Sequence, residues 1–554
     1  MMKLIAIILS IVLIFSLAGC GESPSSVPSS SAPTSSAANS SGSDTQEDVA
    51  PPENGVEIQW GDVQNGYLVH TNPTTWSVTA SEGFTCTGDF YLKLPQYTVI
   101  YSEKKFAVFC YDENFSMSFD YMERSGIEMI GMSAKMKSGS VTLSEDCYVR
   151  VSVEGKLDDL VIAPPEGSEK AVFGADKNTL IYAPVISETS ENLSGRKSAV
   201  NYIFITDIHF NNSSNANGQS LINQVKAVTQ LANSCDSIDF VVVGGDTTTG
   251  MFGSKQECID RTTEVLAPLK DCKKPVFILM GNHDDNSYHR FTYDVYYPER
   301  ILSDKDFNDN YLKVFSPSNI KHDPSYSDSK YYYYDLAGKK TRIVCLDAMD
   351  YRAKYDKNGM ISELPIKDAS ASTHSAKYWS GCSWWGYSDE QLRWLAEEAL
   401  SAPADWDYVF VSHMGIDKQT NAYNYNTIGG STLRTIIGQF QKRGAVSTSL
   451  INADFSSKKG KILVYNFGHS HRELTLYSKD IKLWQICTST ASVGEGSSKP
   501  IDQTSITDKT LGWESYDRVL GGESEACFDI VSADKNSIYK YGFGASLDKV
   551  MEYE

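Results

Sequence analysis

Five places in this chain set aspartate, asparagine or histidine directly behind an apolar run. Phe204-Ile-Thr-Asp-Ile-His-Phe210 delivers Asp207 and His209, and Val241-Val-Val-Gly-Gly leads to Asp246. Phe277-Ile-Leu-Met leads to Gly281-Asn282-His283-Asp284, Val409-Phe-Val-Ser to His413, and Val464-Tyr-Asn-Phe to Gly468-His469-Ser470-His471. An Asp-x-His pair at a strand end puts both side chains on one face, because strand side chains alternate with period two. A carboxylate oxygen and an imidazole nitrogen then converge on one point, and the chemistry this serves is cation binding. Five of the nine histidines of the chain fall in these motifs, a concentration that accidental placement does not explain. No cysteine stands among them, which disfavours a thiolate site. The inventory suits two divalent cations about 3.5–4 Å apart that share a bridging carboxylate. Mn, Fe and Zn all accept such ligands.

The elements that must carry these residues follow a βα grammar beyond residue 200. Residues 202–206 form an apolar strand, and 218–232 place Leu221, Val225, Val228 and Leu231 on one face of a helix. Residues 240–244 read as the next strand and 254–269 as a helix with a plausible cap at its start; Pro275 then leads into a strand over 276–280. Such alternation predicts helices packed outside sheets. Residues 331–336 and 342–346 read as a hairpin turning at Ala337-Gly338, the tyrosine run being a strand with one face packed. Residues 391–400 form an amphipathic helix with Ser388 available as its cap. Strands over 408–411 and 462–467 follow, and a last pair near 527–531 and 538–541 closes the chain.

The first 200 residues are built differently. Lys3 precedes an apolar run over 4–17 that ends in Leu17-Ala18-Gly19-Cys20, too short for a spanning helix of about 20 apolar residues and of the form of a secretory signal. Residues 21–54 are dominated by Ser, Pro and Ala with few bulky apolar side chains, so they cannot bury enough surface to offset chain entropy and read as a spacer. From 55 to 163 short alternating runs separated by turns predict a β-sandwich-like domain, and 164–195 a connector. Its aromatics suit cross-strand packing, with contact to a glycan or wall polymer as the functional alternative. Ten cysteines besides Cys20 are scattered without a Cys-x-x-Cys pair, so buried free thiols are expected for most of them. A formal charge of -20 argues against nonspecific nucleic-acid binding, while bound cations can reverse the field locally for an anionic substrate.

Taken in order, Asp-x-His, Gly-Asp, Gly-Asn-His-Asp, His and Gly-His-x-His resemble the calcineurin-like metallophosphoesterases, over about residues 200–475 and more loosely to the C-terminus. The resemblance implies a four-layer α/β/β/α sandwich over 196–554, with two metals at the carboxyl ends of the strands. On that pattern Asp207, His209 and His471 would hold one metal, Asn282, His413 and His469 the other, and Asp246 would bridge them. His283, beside Asn282, would stabilise developing charge or protonate the leaving oxygen, with Asp284 or Asp285 either orienting it or capping the next segment. Two such cations neutralise phosphate oxygens and lower the pKa of a shared water enough to supply hydroxide near neutral pH. His289, His322 and His374 fall outside the pattern. Leu-Ala-Gly-Cys resembles the bacterial lipobox, implying cleavage after residue 19, a diacylglycerol on Cys20 and a location on the outer face of the cell membrane.

Two departures narrow the reading, the first against a tyrosinate-bound ferric ion and the second against a phosphoprotein substrate. Thr247-Thr248-Thr249 after Asp246 leaves no tyrosine where purple acid phosphatases carry one, and the Asp-Arg-Gly continuation of the protein Ser/Thr phosphatases is missing. The expectation is an extracytoplasmic phosphoesterase, with a phosphodiester favoured over a monoester. Its alternative is a surface glycan-binding lipoprotein with the metal domain as scaffold. The long segment 347–388, with Trp379, Cys382, Trp384 and Trp385, offers itself equally as a substrate wall or as packing against the β-domain.

Overall fold

The computed structural model describes residues 51–52, 55–73, 75–112, 115–169, 172–287, 298–350, 354–355, 361–363, 386–417, 427–493, 501–502, 518 and 525–553. All lie in one compact unit, Pro51–Glu554. Cys20, the spacer up to residue 50, His289, His374, Trp379, Cys382, Trp384 and Trp385 fall outside them. Among the described residues no helix is long and apolar enough to cross a membrane.

Residues 56–175 are β-rich, organised on an eight-stranded sheet. Its spine is the antiparallel pair Val99–Tyr111 and Cys147–Glu154, in register from Tyr148 opposite Tyr111 to Val153 opposite Phe106. Phe106, Phe109, Tyr111 and Tyr91 are buried in its core, whereas Tyr67, Tyr97 and Phe119 are exposed. The stretch expected to be a mere connector holds a strand, Phe173–Ala175, and an 18-residue helix, α1 (Lys177–Ser194). Pro184 inside it and a sparse apolar stripe conceal this helix from a periodicity reading, yet Leu180, Tyr182 and Leu193 are buried.

Beyond it the chain runs β1 (Val200–Ile205), α2 (Ala216–Ser234), β2 (Phe240–Val243), α3 (Lys255–Leu266), β3 (Val276–Ile278), β4 (Tyr332–Leu336), β5 (Thr341–Cys345) and α4 (Asp389–Glu397). It continues through β6 (Asp407–Val411), α5 (Gly430–Lys442), β7 (Ile462–Phe467), β8 (Leu474–Ser478), β9 (Leu483–Cys487), β10 (Cys527–Ala533), β11 (Ser537–Gly544) and β12 (Lys549–Glu552). Side-chain caps start α2, α3 and α4: Asn215 Oδ1 accepts from the Gly218 N–H, Ser254 Oγ from Glu257 and Ser388 Oγ from Gln391. The helix expected to reach residue 269 ends at Leu266 and tightens to a 3-10 turn, Ala267–Asp271, because Pro268 has no N–H to continue the ladder.

Two sheets result. The first has the order β3-β2-β1-β10-β11-β12, with β1, β2 and β3 parallel and β10 antiparallel to β1. The second runs Lys321–His322, β4, β5, β6, β7, β9, β8, Ile501–Asp502, with β5, β6, β7 and β9 parallel. Parallel strands must be covered on both faces, which is why β1 and β7 are apolar but for Asn201 and Asn466 and are buried along their whole length. One core cluster joins Phe204 and Val242 of the first sheet to Ile343, Val409 and Val464 of the second and to Leu221, Val228 and Leu231 of α2. A second gathers Leu392 and Leu395 of α4 and Ile436 and Phe440 of α5 on Val344, Phe410 and Tyr465, the alternate side chains of the second sheet. The tyrosine run packs on both faces, not one. Tyr332 enters the first cluster, while the rings of Tyr331 and Tyr333 lie 4.8 and 6.2 Å from Trp394 in the second.

Behind β7, Glu473 is tied to the β10–β11 hairpin by the buried ammonium of Lys540, which also pairs with Asp529 at 3.2 Å. The nine described cysteines are free; Cys272 is half-buried and the others are buried.

Candidate metal centre

The strands stop short of the residues that matter. β1 ends at Ile205, and the chain beyond it turns into the left-handed region at Asp207 (φ 52°) and His209 (φ 49°). The same holds for Asp246 (φ 50°), His469 (φ 66°) and His471 (φ 51°). Asp207 and His209 therefore meet through two left-handed residues, not through the period-two alternation of an extended strand. Aspartate, asparagine and histidine tolerate this region better than most side chains, yet each such residue costs on the order of 1–3 kcal/mol. Local bonds offset that cost. The Asp207 N–H donates to Gly245 C=O at 3.0 Å, the His209 N–H to Asp246 C=O at 2.9 Å, and the His469 N–H to the Asp207 carboxylate at 2.9 Å.

Glycine is required where these turns crowd together. Gly245 has φ +96°, and a Cβ there would stand 2.7 Å from both the Gly281 nitrogen and His413 Nδ1. At Gly468 a Cβ would lie 2.2 Å from Thr206 Oγ1 and 2.4 Å from Asp207 Oδ2. The Gly-Gly-Asp and Gly-His-x-His spellings thus record close approach between loops as well as ligand supply.

Side chains from all five loops converge. Three groups each keep one donor atom per residue within 4.8 Å of the others: Asp207, His209 and His471; His209, Asp246 and His283; and Asp246, His413 and His469. His209 and Asp246 each belong to two groups, so the three form one connected site. His209 Nε2 and His471 Nε2 stand 2.9 Å apart, and His471 Nε2 lies 3.3 Å from Asp207 Oδ1. On the other side His413 Nε2 is 3.3 Å from both Asp246 Oδ2 and Asn282 Oδ1, because its Nδ1 donates to Gly244 C=O at 2.8 Å and fixes the ring. All seven expected ligands are thereby brought together, all but half-buried His471 buried.

The electrostatics of the cluster are set by burial and by its own carboxylates and imidazoles. Burial alone would raise Asp207, but hydrogen bonding and charge from His471 bring it down to about 2. Burial likewise opposes ionisation of Asp246, yet the His413 and His283 charges hold it well below the usual carboxylate range. Burial works against His413 as a cation, and the Asp246 carboxylate overrides it and lifts the ring to about 9. His469 is driven down to about 3 by burial and the His413 charge, and His209 falls well below its ordinary value through burial and its His283 and His471 neighbours. Two carboxylates that stay ionised and two imidazoles that stay neutral are a donor set that two divalent cations fit.

His283 is held differently from expectation. Its Nδ1 donates to Thr249 C=O at 2.7 Å, leaving Nε2 turned to Asp246 Oδ2 at 3.9 Å. Asp284 does not orient it. Its carboxylate accepts the N–H groups of Asp246 and Gly281 at 2.8 Å and of Thr247 at 2.7 Å, bracing the loops that carry Asp246 and Asn282. Burial and the nearby Asp246 charge push Asp284 up to about 7, against those three donors, which favour its anion. Asp285 Oδ1 accepts the Ser287 N–H, a local turn. His322 donates Nδ1 to Ser329 C=O at 2.8 Å within the edge of the second sheet, a packing role. Sequence reasoning missed Thr249 and Asp284 as braces; the only signal was their place next to ligands.

Residues 200–473 match the family model described as calcineurin-like phosphoesterase. No curated protein matches the chain. Among solved structures, a dimetal phosphatase from Danio rerio is similar at 16% identity and a TM-score of 0.42, covering 64% of this chain and 99% of its own. The GAP50 anchor of the inner membrane complex of Plasmodium is similar at 11% identity and a TM-score of 0.33, covering 64% of this chain and 89% of its own.

Proposed function

We propose that the chain is a dinuclear metal-dependent phosphoesterase that hydrolyses a phosphodiester outside the cytoplasm. The observation that carries this is the single connected site in which Asp246 belongs both to a group with His209 and to one with His413 and His469. In this reading Asp207, His209 and His471 would hold one cation, Asn282, His413 and His469 the other, and Asp246 would be shared between them, at the carboxyl ends of two sheets in an α/β/β/α arrangement. When bound, two such cations would supply neutralisation of the phosphate charge and a water of lowered pKa. Mn, Fe and Zn all suit the donors.

The protein groups do the positioning. Asp246 keeps Oδ2 for the site because Oδ1 is taken by the His283 N–H at 2.8 Å. Asn282 offers a neutral oxygen, which limits the negative charge facing an anionic phosphate. His283 is anchored through Nδ1 and turns Nε2 toward the site, where it would stabilise the charge developing on the leaving oxygen or protonate it. The missing tyrosine argues against a tyrosinate-bound ferric ion and the missing Asp-Arg-Gly against a phosphoprotein substrate; nucleotides, phospholipid headgroups and phosphate-bearing wall polymers are the substrates this leaves. The extracytoplasmic address and a lipid on Cys20 rest on Leu17-Ala18-Gly19-Cys20 and the spacer behind it.

Purified protein supplied with Mn2+ or Zn2+ is expected to cleave bis-p-nitrophenyl phosphate faster than p-nitrophenyl phosphate. Absence of activity on both above an Asp246→Ala control refutes the function, and a monoester preference refutes the diester reading alone.

A further inference from the structure

We infer that Thr490 is a positioning residue for Asp207, and that Arg518 holds Thr490 in place; this rests on the reading of Asp207 as a metal ligand. Thr490 follows β9, beyond the matched stretch 200–473, and is fully buried. Its hydroxyl accepts the Ser492 N–H at 3.1 Å, which leaves its own proton for Asp207 C=O at 2.6 Å. The next residue, Ala491, donates its N–H to Thr206 C=O at 3.0 Å. Two successive bonds thus fasten residues 490–491 to the point where the backbone leaves β1 and enters the left-handed region.

With the Asp207 N–H on Gly245, its C=O on Thr490 and its carboxylate taking Thr206 Oγ1 at 2.8 Å, the rare conformation of this residue is over-determined from three sides. Residues 490–492 are fastened in turn by Arg518. Its Nη1 donates to the carbonyls of Thr490 at 2.8 Å and Ser492 at 3.1 Å, and its Nη2 to Ala491 at 2.8 Å and to Glu525. A planar guanidinium with five fixed donors can bind such a cluster of carbonyls where an ammonium cannot. Gln224 of α2 adds an amide donor to Ala491 C=O at 3.0 Å. Thr490 reaches Asp207 only through its backbone carbonyl, so its effect falls on the affinity for the cation beside Asp207.

Thr490→Val removes the hydroxyl and keeps the volume; Thr490→Ser keeps the hydroxyl. Mn2+ binding to the metal-stripped full chain is followed by calorimetry, and bis-p-nitrophenyl phosphate hydrolysis is titrated with Mn2+. Thr490→Val is expected to weaken one of two binding events about 10- to 100-fold and to raise the Mn2+ needed for half-maximal rate by the same factor, while kcat at saturating Mn2+ stays within about threefold. Thr490→Ser should bind as the unaltered chain does, and Arg518→Met should follow Thr490→Val. Should Thr490→Val not fold, Thr490→Ala is read in its place. Unaltered Mn2+ binding in Thr490→Val, or equal losses in Val and Ser variants, overturns the inference. Failure of the unaltered chain to bind Mn2+ overturns instead the reading of Asp207 as a ligand.

Discussion

Replacing Gly245 by alanine tests whether the metal loops are held together by close packing. The new Cβ would stand 2.7 Å from the Gly281 nitrogen and from His413 Nδ1, and 3.0 Å from the Gly281 Cα, so backbone as well as a ligand ring must move. Overpacking of this kind costs about 1–3 kcal/mol. Forcing an L side chain into positive φ adds about 1–2 kcal/mol, so the total is about 2–5 kcal/mol. With a guanidinium slope of about 5 kcal/mol per molar, the unfolding midpoint of the chelated protein falls by about 0.4–1 M. In Mn2+ the loss should be larger, because displacement of His413 also removes binding free energy that stabilises the folded state. Gly338→Ala, where a Cβ meets open space, serves as the control. Midpoints for Gly245→Ala and Gly338→Ala that agree within about 0.1 M, with equal Mn2+ responses, would refute the packing argument.

His283→Gln should lower kcat by about 10²- to 10⁴-fold while leaving Mn2+ stoichiometry intact, measured by steady-state kinetics alongside metal analysis. Loss of a metal in that variant would make the histidine a ligand instead. The chelated protein should be most stable near pH 6.5. His413, raised in the fold to about 9, contributes stability fully present below pH 6.5 and lost as pH rises through about 9. His469, lowered to about 3, makes the folded state refuse a proton that the unfolded chain accepts, so stability falls as pH drops below 6.5. With Mn2+ bound the alkaline loss should disappear, because the cation replaces the proton on His413. Denaturant midpoints from pH 5 to 9 with and without metal check both limbs.

The residues that converge were legible because an apolar strand followed by Asp, Asn or His is a local pattern, and the helices on Leu221 to Leu231 and on Leu392 to Leu395 were legible from periodicity. The helix α5 was overlooked, although Leu433, Ile436, Ile437 and Phe440 carry the spacing that would have disclosed it. What stayed hidden was of another kind. Left-handed φ at five of the candidate ligands is a property of loops pressed together, and nothing in Asp-x-His spells it. The brace on His283 is a backbone carbonyl, which has no residue type, and Asp284 serves the backbone where the sequence suggested a ring.

The first sheet is completed by strands from distant parts of the chain: β1 hydrogen-bonds to β10, with Val200 opposite Ala533 and Phe204 opposite Asp529. Pairing so remote in sequence forms late and slowly, because the loop entropy must be met before the contact returns anything. Until β10 arrives, β1 presents a bare apolar edge beside Asp207, open to strand exchange with another chain. A nascent or truncated chain would therefore already carry all seven candidate ligands while still offering that edge, so its risk during synthesis is aggregation before it is inactivity.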